Sequence, residues 1–147
     1  MKSHPVAAMS LTLVFALTSS RQGWGQATLP DASGRTTVTV EAAHPWVESG
    51  LTVRKGERLS FEATGVIRWG SKPDQVAGPE GHGAKAAKLG VGGLIGRVGF
   101  TGKPFPIGSK RTPIAMPQNG TLFLGINDFI FKDNAGSFAV TIVRAGT

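Results

Sequence analysis

Leu122-Phe123-Leu124-Gly125-Ile126-Asn127-Asp128-Phe129-Ile130-Phe131-Lys132-Asp133-Asn134-Ala135-Gly136-Ser137-Phe138-Ala139-Val140-Thr141-Ile142 contains two alternating runs around one polar cluster. Leu122, Leu124 and Ile126 recur at every second position, and so do Phe138, Val140 and Ile142. A strand turns successive side chains to opposite faces, so this period predicts two half-buried strands. Upstream, Val38, Val40 and Ala42 alternate with Thr37, Thr39 and Glu41, and Leu59, Phe61 and Ala63 alternate with Ser60, Glu62 and Thr64. Lys55-Gly56-Glu57, Asn119-Gly120 and Ala135-Gly136 read as glycine-containing turns between them. The expectation is all-β, a single antiparallel β-sandwich. Ser71 to Gly93 sustains no period and reads as a long surface excursion, the kind of loop that carries binding on a rigid scaffold.

At 147 residues the chain buries a core without needing metal or disulfide staples. It has no cysteine, which excludes thiol nucleophiles, thiolate metal sites and disulfides. The net charge is +7, yet the cations are scattered: Lys85 with Lys88 and Lys110 with Arg111 are pairs on loops. No basic run interleaves with aromatics to stack bases, so a basic solvated surface is favoured over nucleic-acid binding. There is no Gly-x-Ser-x-Gly elbow, no His-Glu-x-x-His helix and no phosphate-cradling loop, and the chain reads as a non-enzyme. His44 and His82 have no partner histidine at metal-ligand spacing.

Lys2 precedes an apolar run from Val6 to Leu17, too short to span a bilayer and followed by small and polar residues. Residues 1–27 therefore read as a secretion signal, with Gly25-Gln26-Ala27 before the cut and Thr28 as the mature start; an uncleaved anchor is the other reading. Cleavage removes Lys2 and Arg21 and no acid, taking the net charge from +7 to +5. Residues 28–35 form a lead-in and 36–147 the folded domain. Export implies a secreted, periplasmic or cell-surface protein with no membrane span after cleavage.

The dense polar cluster is Asn127-Asp128 and Lys132-Asp133-Asn134, flanking Phe129-Ile130-Phe131. A loop that turns back here brings Asp128, Asp133 and Asn134 together with free carbonyls, the hard oxygen donors that Ca²⁺ prefers. The same residues also suit an Asx-rich loop bonded to its own backbone, which local sequence alone favours.

The order of motifs resembles the LecA-like (PA-I type) galactophilic lectin family. The matching elements are Pro45 to Leu51, Lys55 to Leu59, Ala63 to Gly65, Gly78 to Gly81, Gly93 to Gly99, Gly120 to Asp128 and Asp133 to Phe138. Each is a weak signature, and seven in the family's order cover nearly the whole mature chain. The resemblance implies a galactose-binding-like or jelly-roll sandwich with one Ca²⁺ at its edge, where sugar hydroxyls complete the coordination. Carried over position by position, Asp128, Asp133 and Asn134 supply side-chain oxygens, and the Trp69 carbonyl and that of Phe131 or Ile130 supply main-chain ones.

Asp128, Asp133 and Asn134 would also meet the sugar, with His82 a weaker contact out of alignment. The chain departs from the galactose binder in a shorter Asp128 to Asp133 loop, in Asp133 where an amide stands, and in apolar Phe129-Ile130-Phe131. At least one of Phe129 and Phe131 is expected to pack inward, and Trp46 is assigned to the core. Two functions are carried forward. One is an exported, calcium-dependent carbohydrate-binding module for a galactose-like sugar. The other is a non-catalytic structural or protein-interaction sandwich, with or without a structural Ca²⁺. Members of the resembled family can be tetrameric, and a homo-oligomer would strengthen weak single-site binding.

Overall fold

The computed structural model describes residues 29–85, 88–109 and 112–146. The signal segment, its cut before Thr28 and the Lys110-Arg111 pair lie outside the described residues. Among the described residues ten strands follow in order: β1 (Arg35–Glu41), β2 (Val47–Val53), β3 (Arg58–Thr64), β4 (Ile67–Arg68), β5 (Val76–Ala77), β6 (Leu94–Val98), β7 (Phe105–Pro106), β8 (Ile114–Ala115), β9 (Gly120–Ile126) and β10 (Ala135–Arg144). All pairings are antiparallel. One sheet runs β5-β4-β10-β3-β8 with β1 also on β10, and the other runs β2-β9-β6-β7.

The alternation of the sequence becomes the core. Val38, Val40, Leu59, Phe61, Phe138, Val140 and Ile142 of the first sheet are buried against Val47, Val53, Leu94, Val98, Leu122, Leu124 and Ile126 of the second. A one-residue slip of either sheet would turn these apolar faces to water, so burial fixes the register. In β2 the pairing with β9 shifts between Glu48 and Thr52. The buried Ser49 hydroxyl fills the gap, donating to the Leu122 carbonyl at 2.7 Å and accepting the Leu51 N–H at 3.2 Å. Two of the foreseen turns sit side by side: the Lys55 N–H donates to Asn119 Oδ1 at 2.8 Å.

Ala135-Gly136, read as a turn, is instead the first step of β10 and pairs with Arg68 and Ile67 of β4. Gly136 has φ of 85°, and a Cβ there would stand 3.0 Å from the Val66 carbonyl. Its glycine lets two backbones approach rather than reverse. Among the described residues, the Ser71 to Gly93 excursion contains only β5 and the isolated bridges His82 to Val91 and Lys85 to Lys88.

Candidate functional site

β9 belongs to one sheet and β10 to the other, so residues 127–134 cross between sheets at one end of the sandwich. The crossing is tied down at its start. The Asn127 N–H donates to the Gly93 carbonyl at 2.8 Å, the Gly92 N–H to the Asn127 carbonyl at 2.9 Å, and Asn127 Nδ2 to the Gly90 carbonyl at 3.2 Å. A Cβ on Gly92, whose φ is 75°, would lie 3.3 Å from each of Ala77 Cβ, Ile67 Cδ1 and Trp69 Cβ, so a side chain here would be strained and would press on its neighbours.

Asp128 then organises the turn. Its Oδ1 accepts the N–H groups of Phe129 at 2.7 Å and Ile130 at 3.3 Å, and its Oδ2 accepts Asn134 Nδ2 at 2.9 Å. Asn134 is 7% exposed, and its Nδ2 donates again to the Ala42 carbonyl at 3.1 Å. With both amide hydrogens engaged, the Asn134 Oδ1 stands buried without a partner. A buried polar atom left unpaired costs free energy, and such an atom in a native fold calls for an explanation.

Three of the expected ligand positions meet in this turn: Asp128, Asn134 and the Phe131 carbonyl. Asp128 and Asn134 are hydrogen-bonded to one another. The Phe131 carbonyl faces the same turn, accepting the Asn134 N–H at 3.2 Å. Trp69 directly follows Arg68, which pairs with Ala135, the residue after Asn134. Asp133 lies exposed on the turn, and Ile130 is 56% exposed. His82 is exposed with its ring centroid 5.5 Å from that of Trp69, which puts it beside the same edge. The Trp69 Nε1 is a second buried atom without a partner at this end.

Carboxylate, amide and carbonyl oxygens are the donors a hard divalent cation takes. Among the described residues no three His, Asp or Glu side chains cluster to hold a metal. A cation at this loop would therefore rely on amide and carbonyl oxygens beside two carboxylates, which is the donor chemistry of Ca²⁺ and not of a nitrogen-seeking metal. The engaged carboxylate oxygens of Asp128 keep further lone pairs for such a role.

The aromatic expectations divide. Phe131 packs against the core, while Phe129 is 96% exposed. Trp46 is half-buried rather than core: Arg97 lies over its ring at 4.3 Å, and a Cβ on Gly125 would meet the same ring at 3.0 Å. Burial depresses the Arg97 guanidinium below its ordinary range, consistent with a cation held by aromatic faces. Sequence reasoning missed the Ala42 carbonyl, which is 92 positions from Asn134 and carries no local signal. It also left Asn127 without a role, although Asn127 sits inside one of the matched motifs.

No protein-family model matches the chain. Lectin A of Photorhabdus laumondii is 28% identical over 98 residues, covering 65% of this chain and 79% of the relative. A solved structure described as the EclA N-terminal domain, a PllA-like lectin, superposes with a TM-score of 0.64 at 28% identity, covering 74% of this chain and 95% of that one. Both relatives are lectins, which bears out the resemblance drawn from the order of motifs and the all-β sandwich it implied.

Proposed function

We propose, from the similarity to lectins and the build of the inter-sheet crossing, that this chain is a non-catalytic carbohydrate-binding protein whose sugar site lies at Asp128 to Asn134 and is completed by Ca²⁺. The observation that carries the reading is the buried, unpartnered Asn134 Oδ1 beside the Asp128 carboxylate.

Asp128, Asn134 and Asp133, with the carbonyls of Trp69 and Phe131, would hold the cation. When bound, Ca²⁺ supplies coordination positions that exchange water for sugar hydroxyls. The chain's residues do the rest. Asp128 holds the Phe129 and Ile130 amides, fixing the wall of the loop, and Asn134 locks the loop to Ala42 so that the donor oxygens are set before ligand arrives. Such preorganisation lowers the ordering cost of binding. His82, its ring 5.5 Å from that of Trp69, is the further side chain proposed to meet the sugar. The leading segment suits export to the surface or the surroundings of the cell, where such a site meets glycans.

The test is calorimetric titration with Ca²⁺ up to millimolar concentration, followed by a glycan array with and without chelator. Saturable Ca²⁺ binding and glycan binding that chelator removes are expected; no Ca²⁺ binding would overturn the reading. The exposed Phe129 and Ile130 favour a second reading, a protein-docking module. Its signature is Ca²⁺ raising the melting temperature while every glycan fails to bind.

A further inference from the structure

Beside the crossing lies an open groove of about 740 Å³ between the β6 and β7 edge, the Pro45-Trp46 segment and the loop after Asp128. Among the described residues its lining holds one cation, Lys88, and one carboxylate, Asp128, the residue at the centre of the proposed sugar site. The Asp128 oxygens are taken up by the Phe129 and Ile130 amides and by Asn134. Lys88 forms no ion pair with a described residue. The groove therefore brings an uncommitted ammonium to the sugar site.

Lys88 does not stand alone. It faces Lys85 in an antiparallel bridge, where the Lys88 N–H donates to the Lys85 carbonyl at 2.9 Å and the Lys85 N–H to the Lys88 carbonyl at 3.3 Å. Directly opposed residues of an antiparallel pair send their side chains to the same face, so two ammonium groups leave this hairpin together. Like charges so placed destabilise the pair, and neither lysine is neutralised by a described carboxylate. The hairpin is nonetheless fixed to the site. At its base His82 and Val91 exchange N–H to carbonyl bonds at 2.8 and 3.1 Å, and a Cβ on Gly90 would collide with the His82 carbonyl. The Gly90 carbonyl in turn accepts the side-chain amide of Asn127, the residue before Asp128. Two like charges held together at the rim of a ligand groove attract an anion that can lie between them.

We propose that Lys85 and Lys88 form an anion clamp, and that the ligand is an acidic sugar whose carboxylate or sulfate ester meets them while its ring sits at Asp128 and Asn134. The inference rests on the carbohydrate-binding reading and adds the class of ligand. A bound Ca²⁺ would offset the charges of Asp128 and Asp133, leaving the lysines to set the sign of the field at the groove. The groove's wall of Trp46, Leu89, Ile95 and Phe105 is apolar, which weakens the screening of that field. One exposed ion pair changes affinity by as much as about fivefold, so two set the scale of the preference at about tenfold in low salt.

Methyl glycosides of galactose, glucose and mannose, each with its uronate and its sulfate esters, provide the test, by calorimetry in Ca²⁺ at low salt. For whichever sugar binds, an anionic form is expected to bind at least fivefold more tightly than the neutral one. A gain with the uronate alone assigns a carboxylate, and a gain with a sulfate alone assigns a sulfate ester. Lys85→Ala combined with Lys88→Ala, checked by thermal melting, should abolish the gain and leave neutral-glycoside affinity unchanged. Arg54→Ala combined with Lys55→Ala removes the same charge from the turn beside Asn119 and should preserve the gain. Equal affinity for neutral and anionic forms would overturn the clamp and leave the sugar site standing. So would a gain that survives loss of both lysines, the mark of direct contact between metal and anion, or one lost equally in the Arg54 and Lys55 variant, the mark of net charge alone. If no neutral or anionic form binds, the carbohydrate reading itself falls and the clamp with it.

Discussion

Two aspartates in this molecule each fold a short turn around a carboxylate, and they end in different states. Asp31, at the start of the described chain, accepts the Ser33 N–H, the Ser33 hydroxyl and the Arg35 N–H through a single oxygen. These bonds hold its carboxyl below the ordinary aspartate range. The turn is exposed and closed on itself, with the residues that Asp31 fixes facing water. Asp128 accepts two amides in the same manner, but its second oxygen reaches Asn134, which is buried and has an acceptor left over. In sequence the Asp128 turn reads as an Asx-rich loop, while Asp31 falls in the lead-in. What separates them is a second side chain, drawn into the interior with one atom unsatisfied.

The sharpest way to break this distinction is to ask which turn responds to a cation. A ligand that binds only the folded state stabilises it by about 2.7 kcal/mol at a hundredfold excess over its dissociation constant. Urea unfolding with and without Ca²⁺ should show a shift of that order in the parent protein. Asp128→Asn should reduce the shift to less than half, because a neutral amide replaces a charged donor. Asp31→Asn should leave it unchanged. Equal loss from both substitutions would mean that the Ca²⁺ effect is not lodged in the inter-sheet crossing.

A smaller effect probes the lock itself. Asn134→Ala removes the donor to the Ala42 carbonyl and the partner of Asp128 Oδ2. Unpairing a buried polar group costs about 1–3 kcal/mol, and that loss should appear in chelator, before any cation is present. The same substitution deletes the orphaned oxygen, so the remaining response to Ca²⁺ should also weaken. A variant that loses stability yet keeps the full Ca²⁺ shift would make Asn134 a structural clamp only.

The two turns also show where sequence is informative. The strands were readable because period two needs no distant partner: Val38, Val40, Phe61, Phe138 and Val140 alternate with polar or small residues and are all buried. Asp128 and Asn134 were readable as a cluster of donors, although not as a bonded pair. The binding of Asn134 to Ala42 was not readable, since it joins residues 92 positions apart and Ala42 contributes only a carbonyl. Ala135-Gly136 misled because a glycine at positive φ serves a turn and a close backbone approach equally well, and only the β4 pairing distinguishes them. Trp46 misled for a related reason. Apolar bulk favours the core, but the Arg97 stack and the gap at Gly125 hold the ring at the groove.

The smallest expected effect belongs to the closed turn and depends on pH. The Ser33 hydroxyl is the largest cause of the depression of Asp31 below the ordinary aspartate value of 3.8. A carboxyl depressed in the folded state adds stability above its unfolded pKa and loses it as pH falls through the folded value. Ser33→Ala should therefore raise the Asp31 pKa toward 3.8 and lower stability slightly at neutral pH. At pH 2 the parent and the variant should converge as the parent's carboxyl approaches protonation. Carboxyl titration by NMR and urea unfolding at the two pH values measure both. The difference at neutral pH should be unaffected by Ca²⁺, because nothing in this turn leaves an oxygen buried and waiting; a Ca²⁺-dependent difference would erase the contrast between the two aspartates.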